Sequence, residues 1–148
     1  MSEPVTIHSV TVECSDASVA ARFWRDLLGY EVKANHTRSV HLLDPNGLGP
    51  DLLFAWTDEV KVGKNRIHLD LRPADQEAAV GLAVALGATL ADIDQTGNES
   101  WVVLRDPAGN EFCILQTTDD LAAWEATAQP PTAAELGPSE SGLPSPIE

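Results

Sequence analysis

His68 and Asp70 are the pair of side chains in this sequence with the clearest potential for chemistry. They alternate with Ile67, Leu69 and Leu71, so they should project together from the polar face of one β-strand. A neutral imidazole beside a carboxylate can serve as a general acid or base, with the carboxylate orienting the ring. The same pair could instead line a solvated cavity without chemistry, and both interpretations stay open.

Trp101 and Val103 share one face of a later predicted strand, and His41 shares a face with Leu43 in the matching earlier strand. Apolar and aromatic walls with a few polar groups are typical of small-molecule sites. We therefore predict His41, Trp101 and Val103 as ligand contacts, with ordinary core packing as the alternative.

Composition restricts the possible partners. The formal net charge is -14 and the pI is near 4.4, which disfavours nucleic acid and anionic membranes because both require clustered Lys and Arg. The chain has no apolar run of membrane-spanning length, and its first residues do not look like a secretion signal. We expect a cytoplasmic protein in which Cys14 and Cys113 are free thiols.

A half-length repeat determines the predicted architecture. Each copy begins with an alternating strand, continues with a helix that starts after an aspartate and stops at Leu-Gly, and then gives three short strands. The helices are predicted over Ala17–Leu28 and Gln76–Leu86, after Asp16 and Asp75.

The repeat thus predicts two βαβββ modules, over residues 5–56 and 66–116, within one α+β domain over residues 1–116. A copy alone is too short to bury a core, so we expect a curved mixed sheet shaped like a cup, with helices on its convex side. The composition of residues 117–148, rich in Pro, Ala and Glu, predicts a tail that lacks a core of its own.

Several motifs resemble the vicinal oxygen chelate superfamily, also called the glyoxalase/bleomycin resistance/dioxygenase group. They are Asp16 with Phe23-Trp24 and Leu28-Gly29, and the run Asp106-Pro107-Ala108-Gly109-Asn110-Glu111-Phe112. The runs Lys64–Leu71 and Gly109–Cys113 are similar to its bacterial glyoxalase-like branch. The resemblance covers about residues 5–116 and implies the same duplicated fold.

The resemblance also implies where a metal would bind, because metal-using members take one ligand from the first strand and one from the last strand of each copy. Counting from the helix caps and turns places Ser9, Leu53, His68 and Cys113 at these positions. Only His68 is a usual ligand there, and His8 lies one residue from the matching position, so strand alternation should turn it away unless a bulge intervenes. Glu111, two residues before Cys113, is a further candidate ligand or a local backbone partner.

We therefore favour a protein that binds a small organic molecule without a metal. Its predicted catalytic residues are His68 and Glu111, and its predicted ligand contacts are Ser9, His41, Asp70, Trp101, Val103 and Cys113. The alternatives are a divalent-metal-dependent lyase or dioxygenase that uses His68 and Glu111, and a metal-free enzyme in which His68 acts as acid or base. The resemblance also implies a homodimer.

Overall fold

The computed structural model describes residues 3–93, 95–96, 99–128, 130 and 132. The chain divides into two compact units, Met1–Thr118 and Asp119–Glu148. None of the helices in the described residues is long and apolar enough to span a bilayer.

The first unit contains the two predicted βαβββ modules, and the α+β fold is confirmed. The first module consists of β1 (Ser9–Cys14), α1 (Ala17–Leu28), β2 (Glu31–His36), β3 (Ser39–Leu43) and β4 (Asp51–Trp56). The second consists of β5 (Asp70–Leu71), α2 (Gln76–Ala85), β6 (Thr89–Leu90), β7 (Val102–Arg105) and β8 (Glu111–Ile114).

The described strands form two four-stranded mixed sheets with the same topology, one from each module. The strand orders are β1-β4-β3-β2 and β5-β8-β7-β6, and in each half the first and last strands of the module pair in parallel. The predicted strand that contains His68 and Asp70 is paired only at Asp70–Leu71. The first strand is therefore long in the first module, where β1 has six residues, and short in the second, where β5 has two.

Both long helices begin where the sequence predicts. The Asp16 carboxylate accepts a hydrogen bond from Val19 N at 3.0 Å, and the Asp75 carboxylate accepts one from Ala78 N at 2.9 Å, which satisfies amides that a helix start leaves free. Gly29, with φ of 70°, ends α1 in the left-handed conformation that glycine adopts without steric cost.

Trp24 of α1 joins the two modules in one core. Its ring lies 6.5 Å from the ring of Phe54 in the first sheet and 4.9 Å from that of Phe112 in the second. Its Nε1 donates a buried hydrogen bond of 2.9 Å to Asp106 Oδ2. Because the first helix packs on both sheets, each module completes the core of the other.

Helix α3 spans Thr118–Glu125, and all of it after Thr118 belongs to the second unit. A tail is predicted over residues 117–148, and its residues 133–148 lie outside the described residues.

Candidate functional site

A cavity of about 400 Å³ lies on the face of the second sheet that α2 does not cover. Six of the eight residues predicted from the sequence as site residues line it: His68, Asp70, Trp101, Val103, Glu111 and Cys113. The segment that connects β6 to β7 supplies one wall through Ile93, Gln95, Glu99 and Trp101. The corresponding connection in the first module is the two-residue turn between β2 and β3.

Strand register brings the polar residues of the cavity together. His68 and Asp70 are two residues apart and therefore project from the same side of the chain, and Asp70 is the direct partner of Cys113 in the β5–β8 pair. His68 Nδ1 lies 3.2 Å from Asp70 Oδ1 and 4.0 Å from Cys113 Sγ. Both contacts use Nδ1, so Nε2 is the ring nitrogen that can face a ligand.

Burial raises the pKa of the Cys113 thiol to about 11, and the nearby Asp70 carboxylate acts in the same direction. At neutral pH its sulfur is therefore a thiol, and the nucleophilic form is the thiolate. The raised pKa and the burial of the side chain therefore favour Cys113 as part of the cavity wall over a role as a nucleophile.

Glu111 lies in the cavity wall with both carboxylate oxygens engaged. Oε1 accepts a hydrogen bond of 2.9 Å from Lys61 Nζ and lies 3.5 Å from Arg105 Nε, while Oε2 accepts one of 2.9 Å from Asn65 N. Burial alone would raise the pKa of Glu111, yet these hydrogen bonds outweigh burial and lower it to about 2. The carboxylate therefore ties the connection between the modules to β8, and its predicted catalytic role stays a prediction.

The floor of the cavity is apolar. Val103 and Cys113 pack with Ala91 in a small buried cluster, and Ile93 and Leu115 pack against it. Trp101 is 45% exposed at the rim. The sequence prediction did not include Ile93 and Leu115; Leu115 could have been found, since it follows Cys113 by two residues, whereas no periodicity marks Ile93.

Ser9 and His41 do not line this cavity. They lie on the first sheet, where Ser9 is the register partner of Asp51 and His41 Nε2 lies 2.8 Å from Asp51 Oδ2. Lys33 Nζ also approaches this carboxylate, at 3.3 Å. The ring of His8, a residue that precedes β1, lies 6.5 Å from that of His41. The structure therefore groups His8 with His41 rather than with His68.

The four metal positions implied by the family resemblance do not fit a metal in this chain. Ser9 and Leu53 occupy the two positions of the first module, and a leucine side chain has no donor atom. Of the alternative pair His68 and Glu111, Glu111 already binds Lys61 and Asn65. Any metal held in this cavity therefore needs a different set of donors.

Comparison with known proteins agrees with the fold. Residues 9–115 match a protein-family model described as a glyoxalase-like domain. No curated protein sequence matches the chain significantly.

Solved structures show the same architecture. A glyoxalase/bleomycin resistance protein/dioxygenase family enzyme from Burkholderia phytofirmans is 19% identical, with a TM-score of 0.58, over 74% of this chain and 97% of that one. The trypanothione-dependent glyoxalase I of Leishmania major is 16% identical, with a TM-score of 0.63, over 83% and 94%. A fosfomycin resistance protein from Listeria monocytogenes, solved with Mn(II) and a dihydroxypropylphosphonic acid, is 13% identical, with a TM-score of 0.59, over 79% and 93%.

Proposed function

The chain belongs to the glyoxalase-like domain family, and we propose that it binds a small organic molecule in the cavity of its second module. The observation that carries the proposal is the cavity itself, whose volume of about 400 Å³ lies within the usual range for small-molecule sites. It combines an apolar floor with a few polar groups at one end, the usual composition of such a site.

The proposed binding needs no metal ion, because the contacts come from the protein's own side chains. Val103, Leu115 and Trp101 offer an apolar surface, while His68 Nε2 and Lys64 offer polar contacts at the other end. If a reaction follows binding, His68 is the group able to move a proton, with Asp70 orienting its ring through Nδ1.

The competing function is a divalent-metal-dependent lyase or dioxygenase that uses His68 and Glu111. It receives less support because the two oxygens of Glu111 accept hydrogen bonds from Lys61 and Asn65, and coordinating a metal through them would disrupt these contacts.

Trp101→Ala tests the proposed site. We expect the affinity for the neutral dye Nile red, measured by its fluorescence, to fall about tenfold because truncation removes an aromatic wall. Trp56→Ala is the matched control, since Trp56 has a similar exposure, 40%, but lies on the first sheet. Equal weakening in both variants, or loss of dye binding on treatment with a strong chelator, would contradict the proposal.

We also propose that the protein forms homodimers. β2 and β6 are edge strands of the two sheets, and Val32 and Leu90 on them are exposed; such edges favour association with another chain. Light scattering at micromolar concentration is expected to give twice the chain mass of 15.8 kDa. A Val32→Lys, Leu90→Lys double variant should dissociate into monomers, and a wild-type mass equal to one chain would reject the dimer.

A further inference from the structure

We propose that Gln76, the first residue of α2, is a positioning residue of the ligand site, because its side-chain amide holds the segment that forms one wall of the cavity. Nε2 donates a hydrogen bond of 2.8 Å to Ser100 O and one of 3.1 Å to Ile114 O. Gln76 itself does not line the cavity. The inference rests on the proposed function and adds to it a residue that controls the site without touching the ligand.

The two acceptors determine which end of the amide faces them. Both are backbone carbonyl oxygens, and only the NH2 end of a glutamine side chain carries hydrogens to donate. That group has two N–H bonds, so it can serve both carbonyls at once. One side chain therefore joins Ser100, near the end of the β6–β7 connection, to Ile114 in β8.

Trp101 lies just before the part of β7 that strand pairing holds. β7 begins at Val102, whose register partner is Ile114, the residue that also accepts a hydrogen bond from Gln76. Ser100 and Trp101 precede this first paired residue, and the indole is 45% exposed, so core packing does not fix it. By holding the backbone immediately before Trp101, Gln76 sets the direction in which the indole leaves the chain.

The same hydrogen bond positions a second part of the wall. Glu99 lines the cavity and is adjacent to Ser100. Its Oε1 accepts hydrogen bonds of 2.7 Å from Thr96 N and 2.9 Å from Thr96 Oγ1. Holding Ser100 therefore also restrains Glu99 and, through it, Thr96. A wall that is already in place reduces the conformational entropy lost when a ligand binds.

The first module offers an internal comparison. Counting from the helix caps Asp16 and Asp75 aligns Ala17 with Gln76, each being the first residue of its helix. Alanine has no group that could donate a hydrogen bond from its side chain, and the corresponding connection in that module is a two-residue turn. The amide therefore occurs in the module whose long connection it can hold.

Fluorine NMR of the full chain labelled with 5-fluorotryptophan tests whether Gln76 positions Trp101. The signal of Trp101 is identified by its loss in Trp101→Phe. Gln76→Leu keeps a similar side-chain volume but removes both hydrogen bonds, so we expect the Trp101 signal to shift while that of the buried Trp24 stays in place. Glu77→Leu, on the exposed neighbouring residue of α2, is the matched control and should leave both signals unchanged.

The affinity for Nile red tests the consequence for the ligand site. We expect Gln76→Leu to weaken binding about fivefold, the effect of roughly one lost hydrogen bond. If Gln76 acts through Trp101, the effects of the two changes are not additive, so Gln76→Leu should weaken binding much less in the Trp101→Ala background. A purely structural role would give the same fold-change in both backgrounds.

Gln76→Glu provides a second variant should Gln76→Leu fail to fold. It keeps the shape of the side chain, and a negative charge near a helix start is favourable, yet a carboxylate offers the two carbonyls no hydrogen. We expect it to shift the same signal and to weaken dye binding. The proposal is overturned if the Trp101 signal stays in place in both variants, or if the loss of affinity is equal in the two backgrounds. Absence of dye binding by the wild type would instead reject the proposed function, and the fluorine spectrum alone would then decide whether Gln76 positions Trp101.

Discussion

Trp24→Ala is expected to lower the free energy of unfolding by about 4 kcal/mol, as for other large aromatic side chains truncated in a core. The indole is 3% exposed and contacts Phe54 in one sheet and Phe112 in the other. Truncation also leaves Asp106, a buried carboxylate, without the hydrogen bond from Trp24 Nε1. Urea unfolding followed by far-ultraviolet circular dichroism measures the loss.

Trp56→Ala is the control for this prediction. Trp56 is 40% exposed, and the Arg38 guanidinium lies over its ring, with Cζ 4.0 Å from the ring centroid. An exposed cation–π pair contributes about 0.5 to 1 kcal/mol, so this variant should lose about 1 kcal/mol. Similar losses in the two variants would show that Trp24 does not couple the modules.

Glu111→Ala is expected to cost about 3 kcal/mol of unfolding free energy, within the range measured when one partner of a buried ion pair is removed. The Glu111 side chain is 3% exposed and accepts hydrogen bonds from Lys61 Nζ and Asn65 N. Without the carboxylate, these donors lose their partner and the connection between the modules detaches from β8. Chemical denaturation measures the stability.

The pH dependence gives this prediction a second readout. Because the folded pKa of Glu111, about 2, lies below its ordinary value of 4.5, the stabilisation is complete above pH 4.5 and is lost as the pH falls toward 2. Glu111→Gln should flatten the decline of stability across this interval. Glu13→Gln, on an exposed carboxylate of β1, should leave it unchanged; an equal response of the two variants would contradict the assignment.

Helices and module order could be predicted from the sequence because local signals mark them. Asp16 and Gly29 bound α1 at the predicted residues, since a cap acts within one turn of the chain. Alternation from Ile67 to Leu71 predicts the first strand of the second module, yet pairing covers only Asp70–Leu71. Alternation indicates the direction of side chains. The length of a strand depends instead on pairing with a neighbouring strand, and the sequence of one segment alone does not specify that pairing.

Site residues could be predicted from the sequence where alternation along one segment sets the direction of their side chains. His68 and Asp70 converge because they are two residues apart, and Trp101 and Val103 follow the same rule. Ser9 and His41 were predicted by analogy between the copies, but the cavity needs the wall that Ile93 and Glu99 provide. In the first module a two-residue turn between β2 and β3 takes the place of that connection.

That difference between a tight turn and a long connection gives the two halves of one repeated scaffold different surfaces. Both copies contain the strands and helices that their shared core requires. The longer β6–β7 connection encloses space over the second sheet through Ile93, Gln95 and Glu99. A change in the length of one loop is thus sufficient to distinguish two otherwise equivalent sheets without altering the packing that stabilises them.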